Sequence, residues 1–262
     1  MRSTRTQKLA ACAALTGAAL LVAACGEDSS TVTTSTVTVT APSGTAAAPA
    51  PTDDTDAERD FSVGEFDALR LDAHYAVIVT IGDPVSVRAQ GNSSALDLLD
   101  IRTEGKTLVA GAKPNVQWPP NTHVTVYVTT PTLSAADING SGDIHIGRLQ
   151  ADSLSLGVKG SGEIEAPDLA LSRLRITSAG SGGIEAGGTA EDADIRLSGS
   201  GEAELTTLTV KRAEVSVTGS GSVELTAIER VSGSVAGSGG VRVTGGATCS
   251  VSSVGSGKVT CD

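Results

Sequence analysis

Large aromatic side chains are scarce in this chain: two Phe, two Tyr and one Trp among 262 residues, with a single Met. All five aromatics precede residue 140, so the second half has nothing to form the interfacial girdles of an outer-membrane barrel. Positive charge is short as well. The formal net charge is −11, which argues against nucleic acid and against electrostatic adhesion to anionic lipid. Only three histidines occur, His74, His123 and His145, and none sits in a recognisable catalytic setting. No serine has the G-x-S-x-G surroundings of a nucleophile elbow, and no GGxGxD calcium repeat is present. Apolar periodicity of the helical kind is missing throughout, leaving alternation as the dominant pattern.

What is present begins with an export signal. Arg2, Arg5 and Lys8 precede an apolar run, Leu9 to Ala24, that is too short and alanine-rich for a membrane span. The run ends in "LVAAC", which resembles a bacterial lipobox; "LAAC" at 9–12 has almost no apolar stretch before it. The resemblance implies removal of residues 1–24 and a diacylglycerol on the Cys25 sulfur, so that lipid alone attaches the protein to the membrane. The competing reading is ordinary secretion with Cys25 unmodified. Loss of the signal takes the net charge from −11 to −14. Residues 25–60 are Thr, Ser, Ala, Pro and acid, unable to bury enough surface to fold, and read as a disordered tether reaching ~35 Å. Cys12 leaves with the signal, so Cys249 and Cys261 remain as an expected disulfide in an exported chain. Two thiols without a nearby histidine fall short of a zinc site.

The triplet Gly-Ser-Gly recurs at 140, 160, 180, 199, 219, 237 and 255, a period of 18–20 residues. Counted from the first glycine, offset four holds Ile144, Ile164, Ile184, Ala203, Val223, Val241 and Val259. Offset six holds Ile146, Ala166, Ala186, Leu205, Leu225, Val243 and Cys261, and offsets three and five are polar or glycine throughout. A second alternation precedes each following triplet, at Leu154/Leu156, Leu174/Ile176, Ile195/Leu197 and Val215/Val217, and Leu149, Leu169, Leu208 or Ile228 lies in the connector between. Each repeat therefore predicts two short strands, and stacking equivalent strands gives parallel rungs about 4.8 Å apart. Glycine at a shared corner accepts positive φ and close approach of the next rung. Cys261 then falls above Val243 and Cys249 beside Val231, where a bond would staple the last exposed rung. Propellers and hairpin arrays also use two strands per repeat, but small aliphatics suit a narrow solenoid core better.

Residues 61–139 alternate too, in "FDALRLDAHYAVIVTIGDPVSVRAQG", "IRTEGKTLVAGAK" and "VTVYVTTPTLSAADING", divided by GDP, EGK and WPPN turns. These segments, followed by the GSG repeats, resemble the autotransporter-adhesin head GIN domain, DUF2807, over about residues 61–262. The resemblance implies an all-β, right-handed parallel β-solenoid (β-helix) on an exported, lipid-anchored protein. It brings no catalytic or binding residues. The expected organisation is a signal peptide over 1–24, a linker over 25–60, an N-terminal β region of the GIN domain over 61–139 and a regular solenoid over 140–262.

Two acidic columns are the main candidate chemistry. Offset five carries Glu165, Glu185, Glu204 and Glu224, and offset three carries Asp143, Glu163 and Glu202. Neighbouring charges at that spacing repel by about 1 kcal/mol in water. They form either a strip for a divalent cation or cationic ligand or a solvated face that keeps the sheet soluble, and the second is the default use of surface charge. Arg173, Arg175, Arg196 and Arg212 elsewhere on the rungs offset part of it. Trp118, in the irregular "AKPNVQWPPNTH" turn, offers a sugar contact or a packed cap residue. Polysaccharide-cleaving β-helices build clefts from long loops, and these connectors leave no material for one. The expected function is thus a non-enzymatic, adhesin-like or structural module of the cell envelope, without cofactor or metal. Its partner would be a cell-wall polysaccharide or a surface protein; a polysaccharide-active enzyme and a ligand-free spacer are the alternatives.

Overall fold

The computed structural model describes residues 55–262, which form one compact unit. The signal peptide, Cys25 and most of the expected tether lie outside the described residues. The tether's end does not behave as expected: β1, Asp56–Phe61, is a strand, five residues ahead of the anticipated start at 61. Its few apolar groups are offset by cross-strand pairing. β1 runs antiparallel to β4, Ser86–Asn92, setting Phe61 opposite Val87 and the acids Glu58 and Asp60 around Arg88.

The N-terminal region supplies the first rungs and their cap. β2, Ala68–Asp72, and β3, Ala76–Ile81, make one rung. After β4 come a single helical turn, Ser93–Leu96, then β5, Leu99–Glu104, and β6, Thr107–Ala112, joined by the EGK hairpin with Gly105 at φ 62°. β7, Val124–Thr130, β8, Ala135–Gly140, and β9, Ile144–Ile146, follow. Chain order and spatial order differ here. The β2–β3 rung lies between the rung of β6 and β7 and the rung of β8 and β9, all in parallel register. The chain steps across it through residues 131–134, held by Thr130 Oγ1 donating to Phe66 O at 3.1 Å and Ser134 N donating to Asp67 O at 2.6 Å. β1, β4 and β5 pair antiparallel and close the stack with charged edges, the usual protection against edge-to-edge association.

Beyond β9 the repeats coil as expected. β10 is Leu149–Gly160, β11 Glu163–Gly180, β12 Gly183–Gly199, β13 Glu202–Gly219 and β14 Ser222–Gly237; β15, Gly240–Thr244, β16, Thr248–Gly255, and β17, Lys258–Cys261, finish the chain. The result is a parallel β-solenoid of about six turns. Strands β11 to β14 run on for 16–18 residues rather than breaking into two, because the neighbouring rung offers pairing partners around the bend as well. The core is a set of stacked columns. One runs Val126, Val77, Ile144, Ile164, Ile184, Ala203, Val223, Val241, Val259, and every member but the last is buried. The second alternation has three inward places instead of two: Leu154, Leu156 and Val158 align with Leu174, Ile176 and Ser178, then with Ala193, Ile195 and Leu197. Ile228 departs from its expected place. Its turn is short, the register slips so that Ala227 takes the inner position, and Ile228 is 51% exposed.

The glycine corners fix this register. Gly140, Gly160, Gly180, Gly199, Gly219, Gly237 and Gly255 pair one above another. From Gly140 to Gly219 each carbonyl accepts the N–H of the serine that follows the glycine one turn later, as in Ser200 N to Gly180 O and Ser220 N to Gly199 O, both 2.8 Å; the Gly237 carbonyl accepts from Gly257 N at 2.9 Å. At Gly199 φ is +123° and a Cβ would run into the Gly180 carbonyl oxygen. At the far end Cys249 stacks on Val231 and Cys261 on Val243, and the two are joined as a disulfide with Cα atoms 6.5 Å apart. A Gly199→Ala substitution is expected to lower unfolding free energy in urea by about 2 kcal/mol or more, from strain and lost carbonyl approach together. The exposed Ser200→Ala should be within about 0.5 kcal/mol of the parent.

Candidate functional surface

Outward residues also stack, so each exposed face is a set of rows. The row through the expected glutamates reads Asp60, Arg88, Tyr127, Ile78, His145, Glu165, Glu185, Glu204, Glu224, Arg242, Thr260. His145 Nδ1 stands 2.8 Å from Glu165 Oε2 at one end of the run, and Arg242 Nε 3.6 Å from Glu224 Oε1 at the other. The neighbouring column is broken. Glu163 is followed by Gly183, Glu202 and Ser222, and Asp143 Oδ1 accepts the Glu163 N–H at 3.1 Å. Desolvation, with the nearby charges of Glu165, Asp143 and Glu185, pushes the Glu163 carboxyl above its ordinary range. Two carboxylates stand on the rungs of Glu165 and Glu204 and one on those of Glu185 and Glu224.

These carboxylates lie side by side rather than converging. Among the described residues no three His, Cys, Asp or Glu side chains gather around a point that could hold a metal ion. The cation strip was legible only as a row, and a row of outward side chains one rung apart does not close a coordination sphere.

A second face carries both signs. One row is Arg173, Asp192, Arg212, Arg230 and the next Arg175, Asp194, Glu214, Ser232, flanking a furrow of about 520 Å³ floored by Leu154, Leu174, Ala193 and Ala213. Arg212 Nε reaches Asp192 Oδ1 at 2.7 Å, and Arg175 pairs with Asp194 at 3.3 Å. The Arg212 guanidinium holds the Asp192 carboxyl below its usual range. This face is largely self-neutralised by these pairs.

Trp118 is only partly accessible as a sugar contact. It is half-buried against the core, with its ring edge-on to His74 at 4.5 Å between centroids and tilted against Tyr75 at 6.1 Å. Tyr75 is buried, donates its hydroxyl to Gly111 O at 3.1 Å, and is pushed well above the usual phenol range by desolvation. The three histidines occupy three separate places: His74 on Trp118, His123 Nε2 3.4 Å from Asp56 Oδ1, and His145 on Glu165. The open aromatic is Tyr127, at 40% exposure, which alternation had placed on a strand without distinguishing it from any other outward residue.

The model of the family described as "Putative auto-transporter adhesin, head GIN domain" matches residues 65–247. The chain belongs to the GIN-domain family, DUF2807. A crystal structure titled a "putative adhesin" from Bacteroides fragilis superposes on this GIN-domain protein with a TM-score of 0.73 at 25% identity, over 79% of this chain and 97% of that one. A "putative lipid binding protein" from Parabacteroides distasonis gives 0.66 at 21% identity, covering 80% and 98%, and a "putative adhesin" from the same species gives 0.62 at 20% with the same coverage. The last two likenesses speak to the fold alone. Among curated proteins, none matches the chain.

The raised Glu163 sets a pH dependence. A carboxyl whose folded-state pKa lies above its unfolded value adds stability at low pH that is lost as pH rises through the folded value. Glu163→Gln should therefore raise the thermal midpoint at about pH 7 and leave it unchanged near pH 3, below the ordinary carboxylate range. The shift should be small, because the side chain is largely exposed.

Proposed function

We propose that this GIN-domain protein is an exported, lipid-anchored binding module of the cell envelope, adhesin-like and non-enzymatic. Cys25 would carry the lipid, and the tether would hold the solenoid clear of the bilayer. The observation that carries the reading is the in-register stacking of exposed rows along a rigid axis, such as Glu165, Glu185, Glu204 and Glu224 on consecutive rungs. Identical groups repeated about every 4.8 Å suit a partner that is itself repetitive, such as a cell-wall polysaccharide or the face of a surface protein. Affinity would come from many weak contacts acting together. The adhesin descriptions of the family and of the Bacteroides fragilis structure agree with that use. The separated histidines and the short connectors supply neither a nucleophile–base pair nor a cleft, which favours binding over catalysis. A net charge of −14 after signal removal disfavours nucleic acid as partner.

Beads coated with residues 51–262 should capture isolated envelope polysaccharide or intact cells more steeply as coating density rises. Capture with hydrolysis of the polysaccharide would instead indicate an enzyme, and no capture at any density a spacer. For the anchor, Cys25→Ala in the producing cell should move the protein from the membrane fraction to the soluble fraction. Retention at the membrane would contradict lipid attachment at that residue.

A further inference from the structure

The structure assigns a binding site for a neutral pyranose glycan to the hollow around Tyr127, an inference that rests on the binding-module reading and names its site. Among the described aromatics, Phe66 and Tyr75 are buried and Phe61 and Trp118 pack against the core. Tyr127 is the most exposed of these rings, at 40%, and its hydroxyl bonds to no protein group among the described residues. It borders a hollow of about 420 Å³, within the size range of small-molecule sites.

The hollow is a product of the cap. His123 precedes β7 and Thr125 and Tyr127 lie on it, at every second position, so alternation puts all three on one face. Across the antiparallel pairing, Gln90 lies opposite Thr125 and Glu58 opposite Gln90. Gly91, on β4, faces Val124 and can hold no side chain, since a Cβ there would strike the His123 carbonyl. That missing side chain leaves bare backbone between the polar groups. The walls are fixed in advance: Gln90 Nε2 donates to Glu58 Oε1 at 2.7 Å, His123 pairs with Asp56, and Arg88 is drawn from the ring to Asp60 at 2.8 Å.

This combination selects a ligand by its chemistry. The negative face of a phenol ring attracts the polarised C–H groups on one face of a sugar. The Gln90 carbonyl, the free lone pairs of Glu58, the Thr125 hydroxyl and the His123 ring can meet hydroxyls at its edge, both donating and accepting. An apolar ligand would leave these groups unpaired. Uronic acids and sulfated sugars would meet Asp56, Glu58 and Asp60 together with the glutamates further along the same row, and like charge would repel them. A neutral pyranose suits both the ring and the edge. Linked units continuing past Ile78 would reach the His145–Glu165 pair, on the next rungs of the row.

The test uses residues 51–262 against arrays of neutral hexose, N-acetylhexosamine and uronic-acid oligosaccharides, followed by calorimetric titration of the best binder. Neutral glycans should bind, and Tyr127→Ala should weaken that binding by at least about tenfold. Tyr127→Phe should stay within about threefold of the parent, because the ring face and not the hydroxyl makes the contact. Gln90→Ala should weaken binding as well, and it should also loosen β1, because Gln90 bonds to Glu58 there. Full affinity in Tyr127→Ala would overturn the assignment, as would binding confined to uronic acids or no binding to any array. If beads coated with Tyr127→Ala capture cells as well as the parent does, the binding-module reading stands and this site falls. If neither coat captures anything, the broader reading falls as well.

Discussion

A hydrogen bond that tolerates no side chain governs this fold. The carbonyl of a corner glycine accepts the N–H of the serine following the equivalent glycine one turn on, and that glycine sits so close that a Cβ would occupy the carbonyl's place. With seven glycines in one pile and five of their carbonyls bonded this way, no rung can slide relative to the next without either breaking the bond or forcing a collision. Glycine normally weakens a strand by entropy and lost packing. Here it locates the corner, and the aliphatic columns inside supply the burial that the corner itself lacks. Register then propagates outward as well as inward, so an exposed residue chosen once per repeat becomes a row.

Much of this could be read from the sequence because a fixed period and a strict alternation together define two coordinates, position around the coil and inside against outside. Ile144, Ile164 and Ile184 needed no other information, and Cys249 and Cys261 could be placed on Val231 and Val243 by the same count. The N-terminal region lacks the period, and there the reading was less complete. Alternation in "FDALRLDAHYAVIVTI" tells which residues face inward but not which strand lies beside them, so the insertion of the β2–β3 rung between later rungs was hidden. The strand at Asp56–Phe61 was hidden for a related reason: its stability comes from Arg88 and Gln90, 28 and 32 residues from their partners, and not from its own composition.

The candidate site shows the same division. The acidic row was visible, since it repeats; its failure to converge on any point follows from the straightness that made it visible. Trp118 and Tyr127 were both single events in an irregular region, where residue type outweighs position. Trp118 drew attention as the larger ring, yet its turn folds it onto His74 and Tyr75, whereas Tyr127 is held outward by the pleat of β7 and left uncovered because Arg88 pairs elsewhere. Exposure of a ring at the cap depends on partners across antiparallel pairs, and no repeat announces them.

The most direct test of the coiled stack is distance measured along one row. Pairs of spin labels placed at Glu165 with Glu204, Glu224 or Arg242, on a chain with its disulfide intact, lie two, three and four rungs apart. Pulsed electron-electron resonance should give mean separations rising by about 4.8 Å per rung, to ~19 Å for the last pair. Separations that fail to rise with rung number would mean that successive repeats do not lie over one another, and the rows and the surface built on them would go with the coil.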